Sequence, residues 1–457
     1  MDGKLAGQLE EIVGPEAFTR DTSDLLCYSY DASGRQSVPE AVVFPRSAGE
    51  VSRILKVAAV HRLPVFPRGA ATGTTGASVP VKGGLVLSLE RMNRILCIDA
   101  GDLQAQVEPG VVTGELQRKV SEYGLFYPPD PASLNFCTLG GNVSTGAGGA
   151  RAVKYGVTRD YIMALEVVLP GGEIIRTGTR SAKGVVGYDL TRLMVGSEGT
   201  LGVVTGITLR LVPAPRGVGA MLAFFRDSAS ASAAVAGFFR AGILPRCAEY
   251  LDRLSLECIR DRLPVSVPAG IEAMLLVEVD GAEESIEGQL ASVCEACRMN
   301  GAYKLHTGES DEQRESFWAA RRSLSPSIKK LGFSAKINED ICVPRQSLPE
   351  MMASLDLIAA ETHVTILSFG HAGDGNLHVN ILYNKETSGA GEMAEKAVKK
   401  VMKAALSLDG TISGEHGIGL TKRPFINMEI HEREMELMKS IKRVFDPDNI
   451  LNPGKIF

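Results

Sequence analysis

No stretch of this 457-residue sequence approaches the ~20 consecutive apolar residues that a membrane-spanning helix requires. Its first residues, MDGKLAGQLEEIVGPEAF, have neither the basic start nor the apolar run of a secretory signal. A cytoplasmic location is therefore expected, with peripheral membrane contact left open. Lys and Arg nowhere form a run, and the net charge of -5 is small for this length, which argues against a nucleic-acid partner. Paired cysteines are also scarce. Of the eight cysteines only Cys294 and Cys297 are closely spaced. No second pair stands at zinc-ribbon distance, and no Cys-x-x-Cys-x-x-Cys run could hold an iron–sulfur cluster. In ASVCEACRMNG the two read as ordinary helix cysteines one turn apart, with a redox or metal pair as the rival reading. If this chain moves electrons, they leave through something its cysteines do not supply.

What is present is a 44% hydrophobic fraction and 49 glycines, the composition of a packed globular protein with many tight turns. The length exceeds what a single core supports, so two or three domains are expected. AVVFPRSAGEVSRILKVAAVHRLPVFPRG reads strand, helix, strand, with Val51, Ile54, Leu55 and Ala58 as the helix stripe. Short β-rich runs separated by glycine loops follow, giving an α+β first domain over 1–215 that closes at PAPRG. From 216 to 410, helices alternate with period-two strands, which predicts an antiparallel sheet with helices on one face. The segment 411–457 ends in a helix with Met435, Met438, Ile441 and Phe445 on one stripe, stopped before Pro447.

Glycine placement in the first half carries the earliest chemical signal. PRGAATGTTGAS sets Gly69, Gly73 and Gly76 among small hydroxyl residues, so that successive backbone N–H groups can turn inward as an anion nest suited to a pyrophosphate. No Gly-Lys-Ser/Thr follows, and the spacing is not Gly-x-Gly-x-x-Gly. TLGGNVSTGAGGARAVKYGVTRDYI and GSEGTLGVVT are two further close-approach loops. One such loop is as easily a surface turn; three around strands of one domain point to an extended nucleotide cofactor.

In this order, PRGAATGTTG, PPDPAS, TLGGNVSTGAGG, YGVTRDYI and GSEGTLGVVT closely resemble the FAD-binding domain of vanillyl-alcohol-oxidase type flavoproteins. GHAGDGNLH, SGEHGIG and the terminal LNPGKIF resemble the C-terminal domain of the FAD-linked D-2-hydroxyacid dehydrogenases. That family includes D-lactate dehydrogenases, the glycolate oxidase flavoprotein subunit and D-2-hydroxyglutarate dehydrogenase. The resemblance implies a two-part FAD-binding domain, a cap domain for substrate, and a C-terminal segment packing back on the FAD domain. It puts flavin contacts at Arg68, Gly69, Ala70, Ala71, Thr72, Gly73, Thr74 and Gly76. Others fall at Pro131, Ser133, Thr138, Gly141, Asn142 and Gly148, with Glu198, Gly199 and Val204 near the adenosine half and Asn452 in the terminal motif. Some relatives attach FAD through a histidine in the first loop; residues 67–80 contain none, so non-covalent FAD is expected.

The chain has seven histidines, and GHAGDGNLH holds two of them. VTILSFG and LHVNILY read as paired strands, which makes His371 and His378 neighbours across a hairpin and puts Asn380 on the face of His378. They form half of a metal site, or merely a polar turn. SGEHGIG offers Glu415 beside His416. Two histidines and a carboxylate leave open positions, as in catalytic zinc or non-heme iron sites. By resemblance Glu415 is the third ligand and His416 the general base, with one divalent ion: zinc, manganese or iron(II). The implied reaction has the metal polarising the hydroxyl of a short D-2-hydroxy acid, His416 taking its proton, hydride passing to flavin, and Asn380 orienting the substrate. On a helix Arg321 shares the inward stripe of Phe317, Trp318 and Leu324, where it either meets an anion or snorkels. By resemblance it binds the substrate carboxylate, with Lys336 as a second cation and Ser325 where some relatives have threonine. Lys336 alternates with Ser334 and Asn338 on a polar strand face, so solvation is its rival role. Electrons are expected to go to a separate acceptor, an electron-transferring flavoprotein or iron–sulfur subunit, and a homodimer is compatible with the sequence. D-2-hydroxyglutarate dehydrogenase is the alternative activity; a metal-dependent hydrolase is more remote, since it leaves the three glycine loops unexplained.

Overall fold

The computed structural model describes residues 1–308 and 310–457, and the chain divides into two compact units. The first comprises residues 1–148, 157–214 and 415–457; the second comprises 149–156 and 215–414. Among the described residues, no helix is long and apolar enough to cross a membrane.

In the first unit, β1 (Phe18–Thr19), β2 (Ala41–Val43), β3 (Val65–Arg68) and β4 (Leu85–Ser88) form a four-stranded sheet in the order β1-β2-β4-β3. β4 runs parallel to β2 and to β3, so the chain must cross over between them. The crossover is the helix Ala48–His61, whose stripe Val51, Ile54, Leu55 and Ala58 is buried as the sequence period requires. The Ser47 hydroxyl caps its start by accepting from the Glu50 N–H. The C-terminal residues lengthen this sheet: the Val65 N–H donates to the Ile450 carbonyl at 2.8 Å, and the Asn452 N–H to the Val65 carbonyl at 2.8 Å. A second, antiparallel sheet takes β5 (Ile95–Asp99), β6 (Gln104–Val107), β8 (Ile162–Val168), β9 (Ile174–Gly178) and β10 (Val203–Arg210) in the order β5-β6-β10-β8-β9. Among the described residues, β7 (Leu125–Phe126) and β11 (Val212–Pro213) form a separate two-stranded sheet. On the C-terminal helix, Glu432–Phe445, only Met435 of the expected stripe is buried.

The second unit is built on one seven-stranded sheet. Its strands are β12 (Gly217–Phe225), β13 (Cys247–Asp252), β14 (Ala273–Gly281), β15 (Lys304–Gly308), β16 (Ala335–Cys342), β17 (Thr365–His371) and β18 (Asn376–Tyr383). They lie in the order β15-β12-β14-β13-β17-β18-β16, every neighbour antiparallel. Four long helices, Ser228–Arg240, Ile286–Met299, Leu348–Thr362 and Ala390–Ser407, pack on the sheet as the expected helical layer. Shorter helices add a partial cover on the opposite face. There Leu256, Phe317, Ala320 and Leu324 close over Leu222, Leu251, Leu276, Leu367 and Phe369. Cys294 and Cys297 are buried in the first layer, Cys294 sulfur lying 3.7 Å from that of Met221, which is the ordinary core role.

The β17–β18 hairpin differs in one detail from its sequence reading. Phe369 stands opposite His378 and His371 opposite Asn376, so the two histidines are diagonal neighbours on one face, not a facing pair. The linking turn 372–375 requires its glycine: Gly375 has φ 89°, and a Cβ there would lie 1.9 Å from the Val343 carbonyl oxygen. Gly375→Ala is expected to destabilise the second unit by more than ~1 kcal/mol, since the new side chain meets both a left-handed backbone and a backbone atom. Thermal unfolding should show a midpoint lowered by at least ~2 °C for a unit of this size; an unchanged midpoint would mean that the turn is not constrained as described.

Candidate active site

The chemistry-bearing residues of the second unit converge on Glu249, a residue that sequence patterning does not single out. β13 pairs with β17 so that Glu249 faces His371. One carboxylate oxygen, Oε1, lies 2.5 Å from His371 Nδ1; the other, Oε2, accepts from Arg321 Nε at 2.9 Å and forms an ion pair with Nη2 at 2.7 Å. Arg321 also stacks over the Phe369 ring, 4.7 Å from its centroid. Glu249 is 1% exposed. Burial pushes its carboxyl upward, but His371 and Arg321 outweigh that and bring it down to about 2. Of the two roles open to Arg321, the guanidinium meets an anion within the protein, Glu249. Because Nε and Nη2 share a single acceptor, the Nη1 side of the fork is the part that can serve a ligand.

His378 extends the cluster. Its ring lies 5.1 Å from that of His371 and nearly perpendicular to it, and its Nδ1 is 3.7 Å from Asp340 Oδ1. Asp340 is fully buried and accepts from Asn376 Nδ2 at 2.7 Å. Asn380 shares the face of His378, as expected, and is 1% exposed; its side-chain amide leans back to the His378 carbonyl at 3.4 Å. Lys336 and Ser325 behave differently. Both are exposed, and among the described residues no hydrogen bond ties either to this cluster. Trp318, one turn before Arg321, anchors the helix instead by donating its Nε1 to Glu278 at 2.6 Å.

Glu415 and His416 belong to the first unit, among the glycine loops. A Cβ on Gly148 would lie 2.7 Å from Glu415 Oε2, and the Thr75 hydroxyl donates to the His416 carbonyl at 3.3 Å. The Thr75 carbonyl accepts from Leu420 and Thr421, which binds the SGEHGIG loop to the first glycine loop. Glu198 fastens the same loop: its two oxygens accept from the Ile418 N–H at 2.7 Å and the Gly419 N–H at 2.8 Å. Burial raises its carboxyl and the two amides oppose the rise. Asn452 donates to the carbonyls of Ala77 and Glu198, at 3.0 and 2.7 Å. The side chains of Glu198 and Asn452 thus tie protein segments together. Arg68 does likewise, its guanidinium donating to the carbonyls of Tyr30 and Cys27.

The first loop itself fits a phosphate-bearing cofactor. Among the described residues, the N–H groups of residues 70–76 donate to no backbone acceptor, and the buried Thr74 hydroxyl has no protein partner. A Cβ on Gly69 would lie 2.4 Å from the Thr138 hydroxyl oxygen, which itself caps the short helix Leu139–Thr145 at Gly141. Ser133 reaches Thr72 across the same cradle at 3.4 Å, Pro131 holds the turn by accepting from Leu134, and Asn142 is fixed to Thr113 at 2.7 Å. Gly199 lies against Pro67, and Val204 is buried in β10. Ala71, with φ 52°, adopts the left-handed conformation without being glycine.

Two signals could have exposed the missed carboxylates. Glu249 interrupts the buried strand CAEYLD and Asp340 the strand INEDIC, and an acid inside an apolar strand needs a partner.

Comparison with known proteins agrees with this layout. Residues 39–178 match the family model "FAD binding domain", and residues 214–456 match "FAD linked oxidases, C-terminal domain". The chain is 43% identical over 451 residues to the glycolate oxidase subunit GlcD of Bacillus subtilis, covering 98% of this chain and 96% of that protein. It is 37% identical over 427 residues to a D-lactate dehydrogenase of Anaerostipes hadrus, covering 92% and 89%. Among solved structures, p-cresol methylhydroxylase with bound substrate aligns over 99% of this chain and 96% of its own, with a TM-score of 0.81 at 17% identity, a likeness of fold.

The Glu198 tie generates a test. Glu198→Ala removes the acceptor of two backbone amides, at a cost of ~1–3 kcal/mol for each donor left unsatisfied. Limited proteolysis should then cut within residues 415–420 faster than in wild type, and Glu198→Gln should restore part of the protection. Equal cleavage rates in all three proteins would show that the carboxylate does not hold this loop.

Proposed function

This chain belongs to the FAD-linked D-2-hydroxyacid dehydrogenase family and is an FAD-linked oxidoreductase; from that premise we propose that it oxidises a short D-2-hydroxy acid, D-lactate or glycolate, to the 2-oxo acid. The observation that carries the proposal is the bridging of His371 and Arg321 by the two oxygens of Glu249. It sets an imidazole and a guanidinium side by side, as the adjacent hydroxyl and carboxylate of a 2-hydroxy acid require.

The chemistry that the cofactors supply when bound is two-electron acceptance by FAD and Lewis-acid polarisation of a hydroxyl by a divalent ion. The cradle of Gly69 to Gly76, with Ser133, Thr138, Gly141, Asn142 and Gly148, would hold FAD non-covalently, since residues 67–80 carry no histidine. His371, His378 and Glu415 would hold the ion. Chain connectivity supports that set: Ser413 bridges to Asp340 and Gly414 donates to the Asp340 carbonyl, and the next residue is Glu415. His416 takes the substrate hydroxyl proton as general base. The Nη1 side of Arg321 receives the carboxylate, in a contact strengthened by charge and low exposure. Asn380 orients the hydroxyl. Lys336, which among the described residues has no hydrogen bond to this cluster, has no second carboxylate to serve when the substrate is short. The electrons pass to a separate protein, an electron-transferring flavoprotein or an iron–sulfur subunit, because this chain has no cluster motif of its own.

Dye-coupled steady-state kinetics with D-lactate, L-lactate, glycolate and D-2-hydroxyglutarate test this reading. The highest kcat/KM is expected for D-lactate or glycolate. His416→Ala should slow flavin reduction by ~10²–10⁴-fold while FAD remains bound. A wild-type preference for the dicarboxylate that is lost in Lys336→Ala would make the protein a D-2-hydroxyglutarate dehydrogenase. Acid precipitation should release all the flavin; colour retained in the pellet would contradict non-covalent binding.

A further inference from the structure

We infer that Glu249 is a shared positioning residue: one buried carboxylate fixes the tautomer and direction of His371 for metal binding and, with its other oxygen, the orientation of Arg321 for the substrate carboxylate. The inference rests on the reading of His371 as a metal ligand and Arg321 as the carboxylate-binding cation, and it adds a residue to that machinery.

Three observations carry it. Glu249 Oε1 sits 2.5 Å from His371 Nδ1, so the proton on that ring belongs at Nδ1, which makes Nε2 the electron-pair-bearing nitrogen of the ring. Glu249 Oε2 accepts from Arg321 Nε at 2.9 Å and lies 2.7 Å from Nη2, so one edge of the guanidinium is held against the carboxylate. The carboxylate is 1% exposed in the middle of a seven-stranded sheet, between Ala248 and Tyr250 on a strand whose other residues through Leu251 are buried. A charge in such a place is held by its partners and holds them in turn. An ordinary structural ion pair would tie two elements together; this one joins the two side chains that the reaction uses at neighbouring substrate atoms.

The test separates metal binding from substrate binding. Wild type, Glu249→Gln and Arg321→Met are loaded with manganese(II) and titrated with a chromophoric chelator, FAD content being measured in parallel. Glu249→Gln should weaken manganese binding by ~10–100-fold, as loss of a partner behind a metal-bound imidazole does. Arg321→Met should leave manganese affinity unchanged. At saturating manganese both variants should raise KM for D-lactate, and the double variant should raise it no further than Arg321→Met alone. Manganese affinity in Glu249→Gln equal to wild type, or a double variant whose KM effects multiply, would overturn the inference. Failure of wild type itself to bind manganese would instead refute the metal reading on which it rests. Should Glu249→Gln not fold, the tautomer decides in the unaltered protein. In a long-range proton–nitrogen spectrum of histidine-labelled wild type, the ring signal lost in His371→Gln should show the Nδ1–H form, and an Nε2–H form would overturn the proposal.

Discussion

A carboxylate buried at the centre of a β-sheet constrains everything around it. Glu249 lies in a strand otherwise made to be covered on both faces, and it is stable there only because His371 and Arg321 stand against it. That requirement fixes the register of β13 against β17 and the rotation of the helix Asp311–Arg322. It also holds open a polar strip on a face that the short helices otherwise seal with Leu251, Phe317, Leu367 and Phe369. The strip continues through His378, Asp340 and Asn376, each reached by period-two alternation on paired strands. Apolar cover and polar strip share one sheet face, so the same packing that stabilises the unit delimits its chemistry.

The first unit solves a different problem with the same economy of buried groups. Its loops must bring backbone N–H groups close to an extended cofactor, and such loops have little apolar surface of their own to hold them. Polar ties substitute for it. Glu198 accepts from the amides of Ile418 and Gly419, Asn452 donates to Ala77 and Glu198, and Lys455 reaches the Val79 carbonyl at 2.5 Å. These contacts draw the last residues of the chain onto its first sheet, where Asn452 also pairs with Val65. Glycines are needed where another segment touches the backbone, as at Gly69 beside Thr138 and Gly148 beside Glu415.

Much of this was legible in the sequence, and the limits follow from the range of the interactions. The helix stripe of Val51, Ile54, Leu55 and Ala58 and the pairing of β17 with β18 are local patterns, and both are present, the hairpin with a different register from the one read. The diagonal placement of His371 and His378 depends on how many residues the turn takes, which glycines around Ala372 and Asp374 do not announce. Glu249 was out of reach because its partner His371 is 122 residues away, and only strand order brings them together. Distance in sequence likewise hides the internal ties of Glu198 and Asn452, whose polar atoms reach partners 220 and 254 residues away. Lys336 and Ser325 show the converse. Motif position alone singled them out, and among the described residues no hydrogen bond ties them to the cluster.

The central claim is that a divalent ion held by His371, His378 and Glu415 is needed for a D-2-hydroxy acid to reduce FAD on this chain. Anaerobic rapid mixing with D-lactate, following the flavin absorbance, tests it most directly when metal-loaded and chelator-treated protein are compared at equal FAD content. The account predicts rapid bleaching in the loaded protein, none in the treated protein, and recovery when the ion is restored. Bleaching at the same rate in metal-free protein would contradict it.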